Sequence, residues 1–311
     1  MLLDAHNCYP YEGRWADRLD RALAAGTPLA VEQDLFWYTD RATGAARSVV
    51  AHEPEEASRA TTIREYFFER VRPFVERALA DERPDDWPII TLNLDLKSDE
   101  PEHHAAIWEL LGEYEAWLTT AERGADASHV MPLDVKPILV LTGNNDAQQT
   151  SFHDRLSAGE RLRLFGAIHV PAPTGTTDDE RLMAAARATP EQAIGERTTN
   201  YRRWVNFPWA VIEAGGQTRA ADWTLAEAAR LEALVDRAHT HGLWIRFYTL
   251  NGTRPETSTA LGWTATYNFG SIEAVQVRWR AAIEAGVDFV ATDQYEEFSQ
   301  VLSMRDVTKL R

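Results

Sequence analysis

Cysteine is almost missing from this sequence, because Cys8 is the only one among 311 residues. No intrachain disulfide can form, which excludes a disulfide-stapled scaffold and a zinc site made of cysteines. Long hydrophobic runs are missing as well, since no stretch approaches the roughly 18 to 20 apolar residues that span a bilayer. Hydrophobic residues nevertheless make up 44% of the chain. The sequence therefore predicts a soluble globular protein with a real core and no stable membrane insertion.

Positive charge is also scarce. The chain has 32 Lys and Arg against 48 Asp and Glu, which gives a net charge of −16. Phosphate groups of nucleic acids and anionic membranes would be repelled at long range. We therefore expect no nucleic-acid partner, although a local cationic site for a small anion is compatible with this charge.

Apolar runs and amphipathic segments alternate along the chain, which is typical of a parallel sheet with helices between its strands. No GxGxxG follows the first strand, so a dinucleotide site in an open doubly wound sheet is not indicated. Eight strand–helix units instead favour a closed (β/α)8 TIM barrel. The predicted strands are 2–6, 28–37, 89–96, 138–143, 162–170, 207–214, 243–250 and 288–294.

The longest helix-like segments run over 62–81, 102–123, 224–242 and 271–286. Helices after the fourth and fifth strands are the least evident, and residues 171–200, with PAPTGTTDD, predict a loop insertion on one face. Neither an internal repeat nor a low-complexity linker separates two halves. Residues 1–311 are therefore predicted to form one domain.

Polar residues alternate with apolar ones in two of the predicted strands. In AVEQDLFW, Glu32 and Asp34 are two positions apart and so share one face of a strand. In ITLNLDLKS, Asn93, Asp95 and Lys97 alternate with leucines in the same way. Two carboxylates on one face require a cation nearby. A solvated strand end, a salt bridge or a buried ion pair would each explain one of these groups by itself.

Two histidines and an asparagine come at the same ends of the first strands. His6 and Asn7 end the first strand, and His52 follows a short apolar run after the second strand. A lone histidine at such a place is usually structural. A barrel, however, concentrates its chemistry at the carboxyl ends of its strands, and these residues all fall there. Their coincidence predicts a functional site.

The order of these residues resembles the PLC-like phosphodiesterase superfamily. His6, Asn7 and Tyr9 are similar to the His-Asn-x-Tyr of phosphatidylinositol-specific phospholipase C, and Glu32-x-Asp34 is similar to its next two metal ligands. Asp95-Leu96-Lys97 resembles the Asp-x-Lys of sphingomyelinase D. Two later stretches, FYTLNG and GVDFVATDQYEEF, resemble the Trp-Thr-x-Asn strand and the GVDGIITDYPD close of glycerophosphodiester phosphodiesterases.

This resemblance implies a phosphodiester hydrolase that uses a divalent cation, Ca²⁺ or Mg²⁺. The implied metal ligands are Asn7, Glu32, Asp34 and Asp95, and oxygen ligands suit these hard cations. His6 and His52 are the implied proton carriers, since unperturbed imidazoles titrate near pH 6.5. Which histidine is the base stays open. The remaining site residues are Lys97, which would face phosphate or orient Asp95, and Arg246 and Tyr248, two weaker candidates for substrate binding.

The sequence also departs from the family patterns. Asn7 stands where glycerophosphodiesterases have the Arg of His-Arg-Gly, and Tyr248 stands where Trp is usual. The substrate is therefore expected to be a small-molecule or lipid phosphodiester of undefined head group. Hydrolysis by water and attack by a substrate hydroxyl, which gives a cyclic phosphate, are both open. So is the oligomeric state.

Two other kinds of function stay open. A glycoside hydrolase could use two carboxylates and the 11 tryptophans, although its catalytic acids usually come from different strands and Glu32 and Asp34 share one. A noncatalytic barrel could keep a metal for structure only.

The cellular compartment is an expectation from the resemblance. No signal peptide is visible in these residues. Bacterial proteins with this combination of motifs are often exported, and the first strand begins directly after Met1. We therefore expect a secreted or periplasmic protein whose leader lies outside this sequence, with a cytoplasmic location as the alternative.

Overall fold

A computed structural model describes residues 1–10, 14–81, 83–261 and 263–309. Nine strands form its main sheet. Eight of them are the barrel strands β1 (Leu2–Ala5), β2 (Leu29–Thr39), β4 (Ile90–Leu96), β7 (Ile138–Thr142), β9 (Phe165–Ala167), β10 (Arg202–Pro208), β11 (Trp244–Tyr248) and β12 (Phe289–Thr292). The ninth, β3 (Ala46–Val50), extends β2 as an antiparallel hairpin. The sheet order is β1-β12-β11-β10-β9-β7-β4-β2-β3, and β1 also pairs with β2, so that the eight barrel strands close on themselves. The predicted (β/α)8 barrel is confirmed.

Outside the barrel strands, β3 (Ala46–Val50) completes the hairpin, and a small three-stranded sheet is formed by β5 (Thr120–Glu122), β6 (Leu133–Asp134) and β8 (Arg161–Leu162). The helices are α1 (Arg18–Ala24), α2 (Glu69–Asp81), α3 (Pro101–Glu113), α4 (Asp146–Gln149), α5 (Asp178–Arg187), α6 (Pro190–Ala193), α7 (Leu225–Thr240), α8 (Pro255–Leu261), α9 (Ile272–Ala285) and α10 (Tyr295–Lys309). None of the helices in the described part of the chain has both the length and the apolarity needed to cross a membrane.

The chain divides into two compact units. The first unit contains Met1–His6, Ile168–Arg197 and the chain from Trp204 onward, and the second contains Asn7–Ala167 and Thr198–Arg203. Each unit contains buried apolar side chains. The prediction of one domain over 1–311 stays a prediction.

Large aromatic side chains fill the core of the first unit. Trp204, Trp209 and Trp279 are almost fully buried. A buried ion pair lies beside Trp209, in which Arg278 donates to Glu213 at 2.6 and 2.9 Å. Such a pair is costly to break, because a single uncompensated charge would stay inside.

The core of the second unit is built by three neighbouring parallel strands. β2 pairs with β4 along seven residues, and β4 pairs with β7 along five. Leucines, isoleucines and valines in these strands are buried, as expected where helices cover a parallel sheet. This register aligns Glu32 with Asn93, and Asp34 with Asp95. It therefore brings the polar faces of two strands together.

Three of the predicted elements are wrong in extent. The predicted strand 207–214 lies earlier, at 202–208, and residues 209–211 form a 3-10 turn. The strand starts with two arginines that pair with polar groups, and a hydrophobic pattern does not reveal such a start. The predicted strand 162–170 is split between β8 and β9. The long helix predicted over 102–123 stops at Glu113 because the chain turns into β5.

Residues 171–200 contain two short capped helices. Thr177 and Thr189 each form a capping box at the start of α5 and α6, in which the threonine hydroxyl accepts from the backbone of the third helical residue. Part of the predicted loop insertion is therefore helical. Its role as an insertion stays a prediction.

Candidate active site

Three carboxylates converge at the carboxyl ends of β2 and β4 in the second unit. Ligand oxygens of Glu32, Asp34 and Asp95 all lie within 4.8 Å of one another. Strand periodicity puts Glu32 and Asp34 on one face, and the parallel register puts Asp95 opposite Asp34. Asp34 and Glu32 are buried, with 1% and 6% exposure, whereas the Asp95 side chain is 47% exposed. The cluster therefore opens to solvent on the side of Asp95.

Asp34 has a strongly perturbed electrostatic environment. Burial raises its pKa well above the ordinary value, and the charges of Asp95 and Glu32 raise it further. The ammonium group of Lys97 and the hydroxyl of Tyr9 oppose this rise. A carboxylate in this position is favourable only when additional positive charge is close by.

Lys97 supplies part of that charge. Its Nζ donates to Asp95 Oδ2 at 2.7 Å and lies 3.1 Å from Asp34 Oδ2. Burial alone would lower the pKa of Lys97, but the two carboxylates raise it above its ordinary value. Lys97 is therefore a permanent cation that neutralises one of three negative charges.

Asn7 and Tyr9 join the cluster from the segment that follows β1. Asn7 has a φ of 50°, a left-handed conformation that Asn tolerates better than most residues. The backbone oxygen of Asn7 accepts from Arg18 at 2.6 Å. The Tyr9 hydroxyl lies 2.6 Å from Asn7 Oδ1 and 2.9 Å from Asp34 Oδ2. Tyr9, which is fully buried, thus connects the amide of Asn7 with the most buried carboxylate.

His52 reaches the cluster because the hairpin folds back on β2. The backbone N–H of Ala51 donates to the backbone oxygen of Asp34 at 3.0 Å. His52 Nε2 then lies 3.9 Å from Asp34 Oδ2, and its Nδ1 lies 2.7 Å from Glu53 Oε1. The side chain is 37% exposed, so this imidazole faces both the cluster and solvent.

His6 lies in the first unit, at the end of β1, with a carboxylate partner from the end of β12. Its Nδ1 lies 3.3 Å from both carboxylate oxygens of Asp293. Asn251 donates to Asp293 at 2.5 Å and accepts from the backbone N–H of Asp293 at 2.8 Å. Tyr295 donates to the backbone oxygen of His6 at 2.6 Å. These bonds hold the imidazole and its carboxylate in one orientation.

Arg246 and Tyr248 also lie in the first unit, on β11. Arg246 is 4% exposed; it forms an ion pair with Asp4 and donates to Asn206 at 3.1 Å. The Arg246 guanidinium lies 5.6 Å from the ring centroid of Tyr248. The structure thus gives Arg246 a buried structural partner, and its predicted phosphate contact stays a prediction, as does substrate binding by Tyr248.

The nine predicted site residues divide into two groups, one in each unit. Asn7, Glu32, Asp34, His52, Asp95 and Lys97 form one group in the second unit. His6, Arg246 and Tyr248 belong to the first unit. The role assigned to each of them stays a prediction.

Residue-by-residue reasoning missed three side chains that hold the site residues. Asp293 and Asn251 orient His6, and Glu53 contacts His52. A signal for the first two existed, because both lie in the stretches FYTLNG and GVDFVATDQYEEF, at strand ends. Glu53 is adjacent to His52 in sequence, but adjacency does not predict a side-chain contact.

The donor set of the acidic cluster fits a hard divalent cation. Three carboxylates and a neutral amide offer oxygen ligands only, which suits Ca²⁺ or Mg²⁺ better than softer metals. Asp34 Oδ1 is buried and has no hydrogen-bond partner among the described residues. Buried polar atoms are normally paired. A cation held by Asp34, Glu32 and Asp95 would satisfy that oxygen.

No protein-family model and no curated relative matches this chain. Solved structures that match include a glycerophosphodiester phosphodiesterase from Parabacteroides distasonis. It is 12% identical with a TM-score of 0.45, and the match covers 98% of this chain and 86% of that chain. A second such enzyme, from Agrobacterium tumefaciens, is 12% identical with a TM-score of 0.43, and the match covers 97% of this chain and 98% of that chain. A dihydropteroate synthase from Burkholderia cenocepacia matches at 15% identity, 99% and 91% coverage and a TM-score of 0.45. These matches concern the path of the chain, and the function is inferred from the side chains of the site.

Proposed function

We propose that this protein is a metal-dependent phosphoric diester hydrolase. The observation that carries the proposal is the acidic cluster, in which three carboxylate oxygens lie within 4.8 Å of one another and Asp34 Oδ1 is buried without a hydrogen-bond partner. Such a cluster is unfavourable without a cation. A hard divalent cation supplies charge stabilisation to the nonbridging oxygens of a phosphodiester when it is bound.

The histidines supply proton transfer in this proposal. Asp293 holds Nδ1 of His6, so Nε2 is the nitrogen that exchanges a proton with the reacting groups. His52 contacts Glu53 through Nδ1 and faces Asp34 through Nε2. The two imidazoles share the roles of base and acid, with the assignment between them open. Lys97 adds positive charge for the phosphate or orients Asp95.

The substrate in this proposal is a small-molecule or lipid phosphodiester, and nucleic acids are disfavoured by the net charge of −16. The attacking group is water or a hydroxyl of the substrate. Compared with a glycoside hydrolase, this chemistry makes better use of a third carboxylate and of a lysine that binds two of the three. We also propose export from the cytoplasm, which an in-frame leader upstream of Met1 in the gene would support.

Turnover of an aryl phosphodiester with and without a divalent cation tests the proposal, and phosphorus NMR identifies the product, including any cyclic phosphate. We expect turnover with Ca²⁺ or Mg²⁺ that a chelator abolishes. Full activity in chelator, or hydrolysis of an aryl glycoside with no turnover of the diester, would rule the proposal out.

His6→Ala and His52→Ala variants test the proton carriers. Each should lose about 10² to 10⁴-fold in rate, the usual value of general acid–base catalysis, and keep metal binding. The pH profile of kcat/KM should be bell-shaped and should lose one limb in each variant. His129→Ala is a matched control, because His129 is exposed and outside both groups. If His52→Ala keeps nearly full activity on a substrate with a poor leaving group, the second proton carrier is another residue.

A further inference from the structure

A large groove lies in the first unit, outside the group of polar residues described above. Its volume is about 1030 Å³, at the upper end of the roughly 300 to 1,000 Å³ of small-molecule sites. One wall is the segment 170–175 and another is α5, while the floor comes from β10 and the turn after it. Its apolar lining includes Val170, Pro171, Met183, Ala184, Phe207 and Val211. We call it the 170–211 groove.

The wall formed by 170–175 is held against the start of α5. Gly175 has a φ of 151°, and a Cβ atom there would come within 2.7 Å of Glu180 Cβ and 2.8 Å of the Arg181 nitrogen. Only glycine permits this approach. Glu180 also accepts from the backbone N–H and the hydroxyl of Thr176, at 2.7 and 2.6 Å. Loop and helix therefore form one continuous wall.

Arg230 of α7 fastens that wall to the floor. Its guanidinium donates to the backbone oxygens of Ala188 and Ala185 at the end of α5, at 2.8 and 3.1 Å. The same guanidinium donates to the backbone oxygen of Val211 on the floor. Because one rigid planar group holds both sides, the groove is preformed.

Three of the polar side chains in the walls are already engaged by the protein, and a fourth, Arg187, is exposed to solvent. Asp179 accepts from Arg219 at 2.5 Å, and Glu180 caps α5. Gln192 completes the capping box of α6 with Thr189. What these walls offer a ligand is mainly apolar surface, which favours burial of hydrocarbon over recognition of a polar group.

The groove is next to the strand that carries Tyr248. Phe207 on its floor is fully buried and is paired in register with Phe247 of β11, and Pro208 is paired with Tyr248. The rings of Phe207 and Phe247 stack at 6.0 Å between centroids. The floor of the groove thus continues to the end of β11, where Tyr248 lies 6.2 Å from Tyr267 and Tyr267 lies 6.1 Å from His6, between ring centroids.

We propose that the 170–211 groove binds a long hydrocarbon chain, the apolar part of an amphiphilic phosphodiester substrate. The identity of the chain as part of a substrate rests on the proposed function, whereas binding of a hydrocarbon chain does not. Residues 171–200 then have a specific role, since they build the wall that selects substrates with an apolar tail.

Calorimetry in chelator with hexyl, octyl and decyl phosphocholine, each below the concentration at which it aggregates, tests the proposal. Chelator is needed because these probes are themselves phosphodiesters, and the proposed metal-dependent hydrolysis must not contribute heat. These zwitterionic probes avoid repulsion by the acidic chain. Affinity should increase about fourfold for each methylene group buried. Ala184→Trp fills the groove and should abolish this dependence on chain length. Ala186→Trp, on the same helix but outside the lining, is the matched control and should keep it.

A second variant makes the test independent of folding problems in the first. Met183→Glu introduces charge into the groove. It should weaken the binding of decyl phosphocholine far more than the binding of hexyl phosphocholine. The melting temperature shows whether the variant is folded. Affinity that does not depend on chain length in the wild type, or dependence that survives both Ala184→Trp and Met183→Glu, would overturn the proposal. Chain-length-dependent binding without diester turnover would leave the groove proposal supported and the proposed function refuted.

Discussion

Asp34 is the residue on which the proposed chemistry depends most directly. It is buried beside two other carboxylates, and Lys97 and the Tyr9 hydroxyl offset part of its charge. The same feature that is unfavourable in the metal-free protein becomes favourable when a cation is bound, because the carboxylate is already desolvated and oriented. Under the proposed function, Asp34 therefore lowers the stability of the metal-free protein and raises its affinity for the cation.

Asp34→Asn tests the opposite effects of this carboxylate on metal-free stability and on metal affinity. The variant should bind Ca²⁺ or Mg²⁺ at least tenfold more weakly, and diester turnover should fall with it. In chelator its melting temperature should equal or exceed that of the wild type, because a buried charge with like-charged neighbours has been removed. Calorimetry of metal binding and thermal unfolding measure the two effects. A variant that keeps full metal-dependent activity would show that Asp34 is not a ligand.

Tyr9 is expected to position the metal ligands. Tyr9→Phe removes the hydroxyl that lies close to both Asn7 and Asp34. A hydrogen bond to a charged group contributes about 1.5 to 3 kcal/mol, so metal affinity should fall at least about tenfold. Tyr201→Phe is the matched control, because Tyr201 is buried and its hydroxyl has no hydrogen-bond partner among the described residues. Equal metal affinity in both variants would contradict a positioning role for Tyr9.

At the scale of elements, the hairpin of β2 and β3 brings His52 to the cluster. His103 of α3 holds this hairpin from outside. Its Nε2 lies 2.9 Å from Ser48 Oγ on β3, and its Nδ1 lies 3.0 Å from Ser98 Oγ after β4. The imidazole also stacks on Trp37 at 5.6 Å. One buried side chain thus joins the elements that carry His52 and Lys97.

The burial of His103 makes stability depend on pH. Burial lowers its pKa to about 4, below the usual value of about 6.5. Between these pH values the unfolded chain binds more protons than the folded protein. The contribution of His103 to the free energy of unfolding is therefore fully present above about pH 6.5. It falls by about 3 kcal/mol as the pH decreases toward 4. His103→Gln cannot titrate and should lose less stability on acidification.

Urea unfolding at about pH 7 and about pH 5 measures this difference. The exposed His129→Gln variant is the control and should follow the wild type. If His103→Gln loses as much stability as the wild type over this interval, another group is responsible for the acid sensitivity.

At the scale of the whole molecule, the excess of acidic groups is the dominant electrostatic feature. A net charge of −16 destabilises the folded state by self-repulsion, and salt screens this repulsion. Raising the NaCl concentration from about 10 mM to about 150 mM, in chelator, should therefore raise the melting temperature by about 2 °C or more. Differential scanning calorimetry measures the shift. A melting temperature that falls with added salt would mean that favourable ion pairs outweigh the net repulsion.

Hydrophobic periodicity was sufficient to predict the fold class. Seven of the eight barrel strands lie within or close to the predicted segments, because buried parallel strands are short apolar runs that helices separate. Failure at 207–214 has a physical cause. The strand begins with Arg202 and Arg203, which are buried because Arg202 donates to Ala167 and Asp146 and Arg203 donates to Met131. No local pattern identifies partners so distant in sequence.

The proximity of Glu32 and Asp34 in the acidic cluster could be predicted from the sequence, whereas that of Asp95 depended on strand pairing. Alternation along a strand is a local property, so Glu32 and Asp34 had to share a face, and parallel pairing brought Asp95 opposite Asp34. The partner of His6 followed only from the packing of distant segments, since Asp293 is 287 positions from His6 in the chain. Tertiary structure also decided that residues 171–200 form a wall over an apolar groove. Contacts of this kind depend on how distant segments pack. The free energy of that packing is a property of all the segments together and cannot be read from any one of them.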